Sequence, residues 1–231
     1  MRLDRWIANR TGASRRIVDR AIRAGQVTVD GVEVRDAGAP VGPEAKITVD
    51  GEPLPEPPPR LALFHKPLGV HSTVGDPHGR PNLEGAAADL VDRGLHPVGR
   101  LDAETDGLLL FSSDGALTQW LLHPRRQVVR VYRAVVEGAP APELGGRLAA
   151  GIDTADGTWA AELRSVDGQV LVVAVTEGKH RMVRRLLANA GHPVVELRRL
   201  SYGPFILGDL APGGWRVPTE TEWAGVAGAP R

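Results

Sequence analysis

The 231-residue chain has no cysteine, only two tyrosines and no net charge. The lack of cysteine excludes disulfides and thiolate metal sites, and it is compatible with a reducing cytoplasm. No apolar run approaches the roughly 18 residues that a membrane span requires, and the first residues lack the apolar core of a signal peptide. We therefore expect a cytoplasmic protein with no membrane partner. Its apolar content of 42% is enough for a sizeable core.

The short motifs of cofactor and metal chemistry are also missing from the sequence. The seven histidines are scattered without metal-ligand spacing. The sequence contains no glycine-rich phosphate loop and no GxSxG elbow. We therefore expect no cofactor and no metal, so that any chemistry comes from carboxylate, tyrosine and basic side chains.

The charges are unevenly distributed, although the neutral total at first argues against a nucleic-acid ligand. Residues 1–26 hold seven arginines and two aspartates, residues 123–133 hold four arginines and no acid, and residues 179–199 hold six basic residues and one acid. Segregated charge of this kind can present a basic face to phosphates. Any single arginine can instead belong to a solvated surface.

A proline-rich segment divides the chain. Residues 53–60 hold five prolines in eight positions, a composition that favours extended polyproline II structure and is typical of a semi-rigid linker. We therefore predict one domain over residues 1–52 and a second over residues 61–231.

The first domain has the pattern of two short helices followed by a small sheet. Ser14 is a candidate N-cap for the second helix, and Gly25 is a candidate helix end. Alternating valines flank Asp30-Gly31 as in a β-hairpin, and residues 47–49 form another short strand.

The second domain interleaves strand and helix patterns. The strand patterns cover residues 61–64, 108–112, 128–137, 159–166, 170–176 and 194–199. The helix patterns cover residues 83–93, 114–122, 142–150 and 180–190. Neighbouring strand patterns at 159–176 favour an α+β fold around a mainly antiparallel mixed sheet.

The strongest candidate for chemistry lies in residues 98–111, where a polar turn runs into an apolar segment typical of a buried strand. Catalytic groups concentrate on loops that a rigid scaffold holds in place. Asp102 is therefore a candidate catalytic residue. On spacing alone, Asp102 and Asp106 can equally be residues that terminate a turn.

Gly99-Arg100-Leu101-Asp102, with Thr105 and Gly107-Leu108-Leu109-Leu110, resembles the catalytic signature of RNA pseudouridine synthases. Within that family the sequence is most similar to the RsuA group, which modifies ribosomal RNA. The first domain resembles the RNA-binding domain of ribosomal protein S-four, through the segments 2–4, 14–16 and 24–31.

This resemblance implies that Asp102 is the catalytic carboxylate, which acts on a flipped-out uridine either as a nucleophile or by removing a ribose proton. It implies that Arg184, in the late motif 177–187, pairs with Asp102. It also implies that Tyr132, in Arg130-Val131-Tyr132, stacks on the uracil and assists proton removal from C5. From the strand pattern alone, Tyr132 can also be a core residue. The chain departs from the group at Met182, where glutamine is usual, and at Arg130, where lysine is usual.

Further contacts with the RNA follow from the same resemblance. Arg100 would occupy the space that the flipped base vacates, although a phosphate contact or an ion pair with Asp106 is an alternative. The other expected substrate contacts are Lys66, Lys179, Arg181 and Val183. The expected RNA contacts of the first domain are the phosphate-binding arginines Arg2, Arg5, Arg15, Arg16, Arg20 and Arg23.

The predicted function is therefore the isomerisation of uridine to pseudouridine in ribosomal RNA, carried out by a monomer bound to the RNA or to an assembling subunit. The start of the chain, its length and residues 194–197 are more similar to small-subunit (16S) enzymes, whereas residues 177–179 and 190–193 are equally similar to large-subunit (23S) relatives. A glycoside hydrolase-like enzyme that uses Asp102 with Asp106 and a non-catalytic RNA-binding or ribosome-assembly protein are the other hypotheses.

Overall fold

The computed structural model describes residues 1–42, 44–54, 58–226 and 228–229. By its internal contacts the chain divides into two compact units. One is Met1–Arg60 with Asp89–Leu95, and the other is Leu61–Ala88 with the chain from His96 onward. None of the helices in the described ranges is both long and apolar enough to cross a membrane.

The described part of Met1–Arg60 in the first unit forms two helices and a four-stranded antiparallel sheet. Its elements are α1 (Leu3–Thr11), α2 (Arg15–Arg23), β1 (Val27–Val29), β2 (Val32–Glu33), β3 (Ile47–Val49) and β4 (Glu52–Pro53), and the sheet order is β2-β1-β3-β4. Ser14 caps α2 by accepting a hydrogen bond from the Ile17 amide. Gly25 follows α2 with a left-handed backbone (φ +80°), which glycine adopts without steric cost. The predicted helices, hairpin and strand at 47–49 are thus confirmed.

The proline-rich segment begins inside this sheet. Pro53 belongs to β4 and lies opposite Thr48 of β3. Residues 55–57 of the predicted linker lie outside the described residues. The extent of the linker and the domain limits at residues 52 and 61 stay predictions.

The second unit is built on a nine-stranded mixed sheet. Its strands are β5 (Leu61–Lys66), β6 (His96–Val98), β7 (Thr105–Ser112), β8 (Arg130–Val136), β11 (Glu162–Asp167), β12 (Val170–Val175), β13 (Val194–Tyr202), β14 (Phe205–Ile206) and β15 (Trp215–Arg216). A separate hairpin consists of β9 (Ile152–Thr154) and β10 (Gly157–Trp159). The remaining helices of the chain are α3 (Leu83–Ala86), α4 (Ala88–Asp92), α5 (Gly115–Leu122), the 3-10 helix Pro124–Arg126, α6 (Leu144–Ala150), α7 (Met182–Asn189) and α8 (Glu220–Ala224).

The main path of the sheet runs β11-β12-β8-β13-β7-β5-β15, with β14 paired to β13 and β6 paired to β7. β13 and β7 pair in parallel, and the other pairs along the described chain are antiparallel. The predicted α+β class with a mainly antiparallel mixed sheet is therefore confirmed.

The two neighbouring strands β5 and β7 lie in the core. Every residue of β5 is buried, and residues 108–111 of β7 are fully inaccessible to solvent. Phe64 and Phe111 meet edge to face, with their ring centroids 5.6 Å apart. A strand covered on both faces is a near-continuous apolar run. The apolar segment therefore anchors the polar turn before it.

The structure departs from the predicted elements where the chain is short or locally irregular. The single helix predicted over 83–93 is interrupted at Ala87, whose backbone is not helical (φ −132°, ψ 35°). The helix predicted from 180 begins at Met182, because Arg181 adopts a left-handed backbone (φ 50°). Several elements of two to five residues, among them β6, β14, β15 and α8, were not predicted because such segments are too short to show a periodic pattern.

Candidate active site

A cleft of about 520 Å³ opens in the second unit beside the start of β7. Its walls come from the turn 98–105, from residues 71–73 and 177–183, and from parts of β8 and β13. The predicted site residues that line this cleft are Arg100, Asp102, Tyr132, Lys179, Arg181 and Val183. The fold thus brings together residues from three separate parts of the sequence.

The turn that carries Asp102 is held by hydrogen bonds. The Ser72 hydroxyl accepts a bond from the Leu101 amide at 3.0 Å and donates one to the Leu101 carbonyl at 2.7 Å. The Thr105 amide donates to the Asp102 carbonyl at 3.0 Å and closes the turn. Ser72 is buried and was not singled out from the sequence. Asp102 lies three residues before β7, and β7 continues directly into the core. A rigid strand therefore anchors the turn that carries Asp102.

Arg181 is the basic residue that the structure places beside Asp102. Among the described residues, no other basic side chain lies within 4.0 Å of the Asp102 carboxylate, which is 4.0 Å (Oδ2) from Nη1 of Arg181. Nη2 of Arg181 donates to Oε2 of Glu104 at 2.8 Å, and this bond holds the pKa of Glu104 below its usual range. Arg181 therefore links Glu104 to Asp102, and Glu104 is the closer partner.

The predicted ion pair between Arg184 and Asp102 is not formed. Nη2 of Arg184 donates to the Glu104 carbonyl at 2.7 Å, and Nη1 donates to the Val194 carbonyl at 3.1 Å. Backbone carbonyls thus occupy both terminal nitrogens, while Nε is buried without a hydrogen-bond partner in the described chain. Burial is the main reason why the pKa of Arg184 is lowered from its usual value. Arg184 therefore holds the backbone at Glu104, two residues after Asp102, and at Val194.

Lys66 does not reach the cleft as a substrate contact. Its side chain is fully buried, and Nζ donates to the Pro67 and Val70 carbonyls at 2.8 Å each. Burial lowers the pKa of Lys66 to about 8. Its ammonium group is used inside the turn that follows β5, so this placement does not support the expected contact of Lys66 with the substrate.

Tyr132 forms part of the cleft wall together with residues of β13. Its hydroxyl oxygen lies 3.5 Å from Nη1 of Arg199. The Tyr202 ring lies 5.2 Å from the Arg199 guanidinium and 4.6 Å from that of Arg130. Neither Arg199 nor Tyr202 was predicted as a site residue. Strand alternation could have indicated Arg199, because Arg198 and Arg199 must face opposite sides of the sheet.

Arg130, the first residue of the predicted basic-x-tyrosine motif, is directed to the interior. It is 7% exposed and donates to the Tyr202 hydroxyl at 2.7 Å and to the Thr176 carbonyl at 2.9 Å. Tyr202 in turn donates to the Leu121 carbonyl. These hydrogen bonds fix the first residue of β8, which lies two residues before Tyr132.

Asp106 belongs to a separate ion pair. Arg198 donates to its Oδ2 from Nε at 2.9 Å and from Nη2 at 2.6 Å, and Nε2 of His65 lies 3.8 Å away. Asp106 does not line the cleft as the structure describes it. Because Asp106 pairs with Arg198 and lies outside the cleft, its placement does not support the glycoside hydrolase hypothesis. The alternative ion pair of Arg100 with Asp106 is not formed. Arg100 is exposed at the cleft.

The remaining predicted residues of the cleft have distinct surroundings. Val183 is 5% exposed, in the first turn of α7. Lys179 is half-exposed, with Nζ 3.3 Å from the Glu177 carboxylate and 5.6 Å from the Trp159 ring centroid. The cleft thus combines an apolar wall with cations at its rim.

In the first unit, three of the predicted RNA-binding arginines are held by carboxylates. Arg2 and Arg15 donate to buried Asp4 at 3.1 and 2.9 Å, and the bond from Arg2 is the main reason why the pKa of Asp4 falls to about 2. Arg23 pairs with Asp19 one helical turn away. The other three are exposed and make no ion pair within the described chain: Arg5, Arg16 and Arg20.

Comparison with known proteins gives consistent matches to this sequence and fold. The family model described as RNA pseudouridylate synthase matches residues 60–189, and the S4 domain model matches residues 1–47. A solved pseudouridylate synthase structure aligns with a TM-score of 0.66 and 26% identity, over 97% of this chain and 99% of that one.

Curated relatives align over nearly their full length. Ribosomal small subunit pseudouridine synthase A of Escherichia coli is 36% identical over 98% of this chain and 100% of its own length. An uncharacterized RNA pseudouridine synthase of Aquifex aeolicus is 36% identical over 97% of this chain and 92% of its own. The chain therefore belongs to the RNA pseudouridine synthase family and carries an N-terminal S4 domain.

Proposed function

We propose that this enzyme converts one uridine of small-subunit (16S) ribosomal RNA to pseudouridine, with Asp102 as the catalytic carboxylate. The observation that carries the proposal is the environment of Asp102. Its carboxylate accepts no hydrogen bond from the described chain, faces Arg181 at 4.0 Å and shares one cleft with Tyr132. A cleft of about 520 Å³ is of the usual size for a small-molecule or nucleoside site.

The reaction breaks the bond from uracil N1 to ribose C1′ and forms a bond from C5 to C1′. Asp102 promotes the first step from the ribose side, by attack at C1′ or by removal of the C2′ proton. Arg181 places a positive charge 4.0 Å from the Asp102 carboxylate. Arg184 fixes Glu104 and so supports the same turn.

The uridine must leave the RNA stack to reach Asp102, at a cost of a few kcal/mol. Exposed Arg100 occupies the space that the base vacates, and Tyr132 stacks on the uracil. The Tyr132 hydroxyl then assists removal of the proton from C5 after the new bond has formed. Val183 contributes apolar surface beside the base, and Lys179 and Arg181 face the RNA at the rim.

The choice of small-subunit RNA is supported by the name of the Escherichia coli relative. The exposed arginines of the S4 domain hold the RNA through phosphates, which positions the enzyme without reading the sequence. One chain supplies Asp102, Tyr132 and Arg181 to the cleft, and the proposed enzyme acts as a monomer. Action on ribosomal RNA or an assembling subunit implies that the enzyme works in the cytoplasm.

The substitution Asp102→Asn tests the catalytic assignment, since it removes the charge and preserves the size of the side chain. We expect pseudouridine formation on small-subunit RNA to fall at least about a thousandfold, with the Kd for RNA unchanged within about twofold. Asp167→Asn is the matched control, because it removes an exposed carboxylate outside the cleft. An Asp102→Asn variant with normal activity would leave the RNA-binding hypothesis as the better account.

The RNA target is tested by mapping pseudouridines in ribosomal RNA from cells that lack this protein. We expect one site to disappear from the small-subunit RNA and to return when the wild-type chain is supplied, but not when Asp102→Asn is supplied. Loss of a site from the large-subunit RNA alone contradicts the proposed target and leaves the reaction type intact.

A further inference from the structure

Arg199 is a buried cation at the wall of the cleft with unused hydrogen-bonding capacity. The residue is 3% exposed. Its Nε donates to the Leu108 carbonyl at 2.7 Å, and its Nη1 lies 3.5 Å from the Tyr132 hydroxyl. Nη2 is buried and has no hydrogen-bond partner in the described chain. No carboxylate of the described residues lies within 4.0 Å of this guanidinium.

A buried guanidinium without a counter-charge is unfavourable, because its interactions with water are lost and are replaced only in part. Buried N–H groups without partners are uncommon in folded proteins, and they concentrate where a ligand or a reacting group completes them. The position of Arg199 is nevertheless tightly specified, since its backbone pairs with Gly107 across the parallel strands β7 and β13. The arrangement indicates that an anion in the cleft provides the missing partner.

Apart from exposed Arg100, the other arginine and lysine side chains that line the cleft in the described chain are already engaged. Arg181 is bonded to Glu104, Lys179 faces Glu177, and Arg130 donates to a hydroxyl and two carbonyls. Arg199 is the buried cation next to Tyr132, which is the residue that holds the uracil in the proposed function.

We propose that the Arg199 guanidinium stabilises the negative charge that develops on the uracil ring when the N1–C1′ bond breaks. This inference rests on the proposed function of the cleft. The electron pair of the broken bond passes to N1 and spreads to the carbonyl oxygens O2 and O4, which can accept hydrogen bonds from the N–H groups of a guanidinium. Bond formation between C5 and C1′ neutralises this charge. The C5 proton is then removed and N1 takes up a proton, so that the product is again neutral.

The leaving-group role predicts a specific dependence on the basicity of the departing base. Fluorine at C5 withdraws electrons and stabilises the uracil anion, so that a 5-fluorouridine target needs less help from a cation. The experiment measures single-turnover loss of the target nucleoside by chromatography of digested RNA, with uridine or 5-fluorouridine at the target position. The variants are Arg199→Met, which removes the charge, and Arg199→Lys, which keeps the charge but loses the planar fork.

We expect Arg199→Met to slow the reaction of uridine by about 10²–10³-fold, as for the loss of one donor to a developing anion. The loss with 5-fluorouridine should be at least about fivefold smaller, and Arg199→Lys should be intermediate. RNA affinity should change by less than about twofold. Arg133→Met is the matched control, because Arg133 is half-exposed on β8, pairs with Glu196 and does not line the cleft.

Equal losses with both targets, or a loss explained by weaker RNA binding, overturn the inference. A second comparison in the Tyr132→Phe background separates a direct effect from one exerted through the tyrosine hydroxyl. We expect the Arg199 effect to persist there, and its disappearance also overturns the inference. If Arg199→Met does not fold, Arg199→Lys gives the same comparison. If Asp102→Asn is active, the proposed function itself is refuted. If Asp102→Asn is inactive but Arg199→Met slows the reactions of uridine and 5-fluorouridine equally, only the role of Arg199 is refuted.

Discussion

Gly107 lies where β7 and β13 run in parallel, directly opposite Arg199. Its φ of +103° is one that residues with a side chain rarely adopt. A Cβ at this position would meet the backbone carbonyl oxygen of Arg199 and would lie 2.7 Å from its amide nitrogen. The substitution Gly107→Ala therefore tests whether the close approach of these strands supports the cleft wall.

The substitution Gly107→Ala should lower the free energy of unfolding for two reasons. A left-handed backbone costs a residue with a side chain about 1–2 kcal/mol, and overpacking in a core costs about 1–3 kcal/mol. The contacted atoms belong to the backbone of a paired strand and cannot rotate away. We expect the free energy of unfolding to fall by about 2–5 kcal/mol. Pseudouridine formation should also slow, because relief of the contact displaces Arg199.

Urea denaturation followed by tryptophan fluorescence measures this loss from the shift in midpoint at constant slope. Gly168→Ala is the matched control, because Gly168 also has a positive φ (+56°) but a Cβ there meets nothing within 4 Å. The control carries only the backbone cost of about 1–2 kcal/mol. If Gly107→Ala destabilises no more than Gly168→Ala, the close approach of β13 is not the cause and the reasoning fails.

Two further variants test other supports of the fold. Ser72→Ala removes both hydrogen bonds to the Leu101 backbone, so that the free energy of unfolding should fall by about 1–3 kcal/mol. Because the turn that carries Asp102 is then less well held, pseudouridine formation should slow in single-turnover assays. Glu222→Gln should cost about 3 kcal/mol at pH 7, because hydrogen bonds, chiefly from Arg216, lower the pKa of Glu222 from 4.5 to about 2. The folded-state pKa lies below the unfolded one. The stabilisation is therefore present above pH 4.5 and is lost as the pH falls through about 2.

Each of these variants has a matched control. Ser165→Ala removes an exposed hydroxyl on β11, and Glu220→Gln removes an exposed carboxylate from the same helix as Glu222. Urea denaturation at pH 7, 5 and 3 should show that the difference between wild type and Glu222→Gln shrinks towards acid. A difference that does not change with pH contradicts the assigned pKa, and a Ser72→Ala variant as stable as Ser165→Ala contradicts the role of the hydroxyl.

The parts of the fold that could be predicted from sequence are those specified by local chemistry. Residues 108–111 form a buried strand because four large apolar side chains in succession can be accommodated only in a covered strand. Asp30-Gly31 forms a hairpin turn because both residues adopt the positive φ that this turn requires. The position of Asp102 at the cleft follows from the same principle, since the apolar strand fixes the turn before it.

The partners of charged side chains could not be predicted in the same way. Arg181 and Arg184 are three residues apart at the start of α7, so either could approach Asp102. The left-handed backbone of Arg181 and the carbonyl of Glu104 decide between them, and both depend on how distant segments meet. The burial of Lys66 could not be predicted for the same reason, because it depends on the placement of β5 between β7 and β15.

The basic segments of the sequence also require a different interpretation. The segments 123–133 and 179–199 contain buried Arg130 and Arg199, and Arg184 is bonded to carbonyls. Part of their charge therefore lies inside the second unit, where Arg130 and Arg199 line the cleft and Arg184 fixes the backbone near Asp102. The exposed arginines of the first unit are of a different kind, since they can reach phosphates without any rearrangement. Zero net charge is thus compatible with an RNA substrate, because the fold can segregate positive charge at a cleft and on an exposed surface.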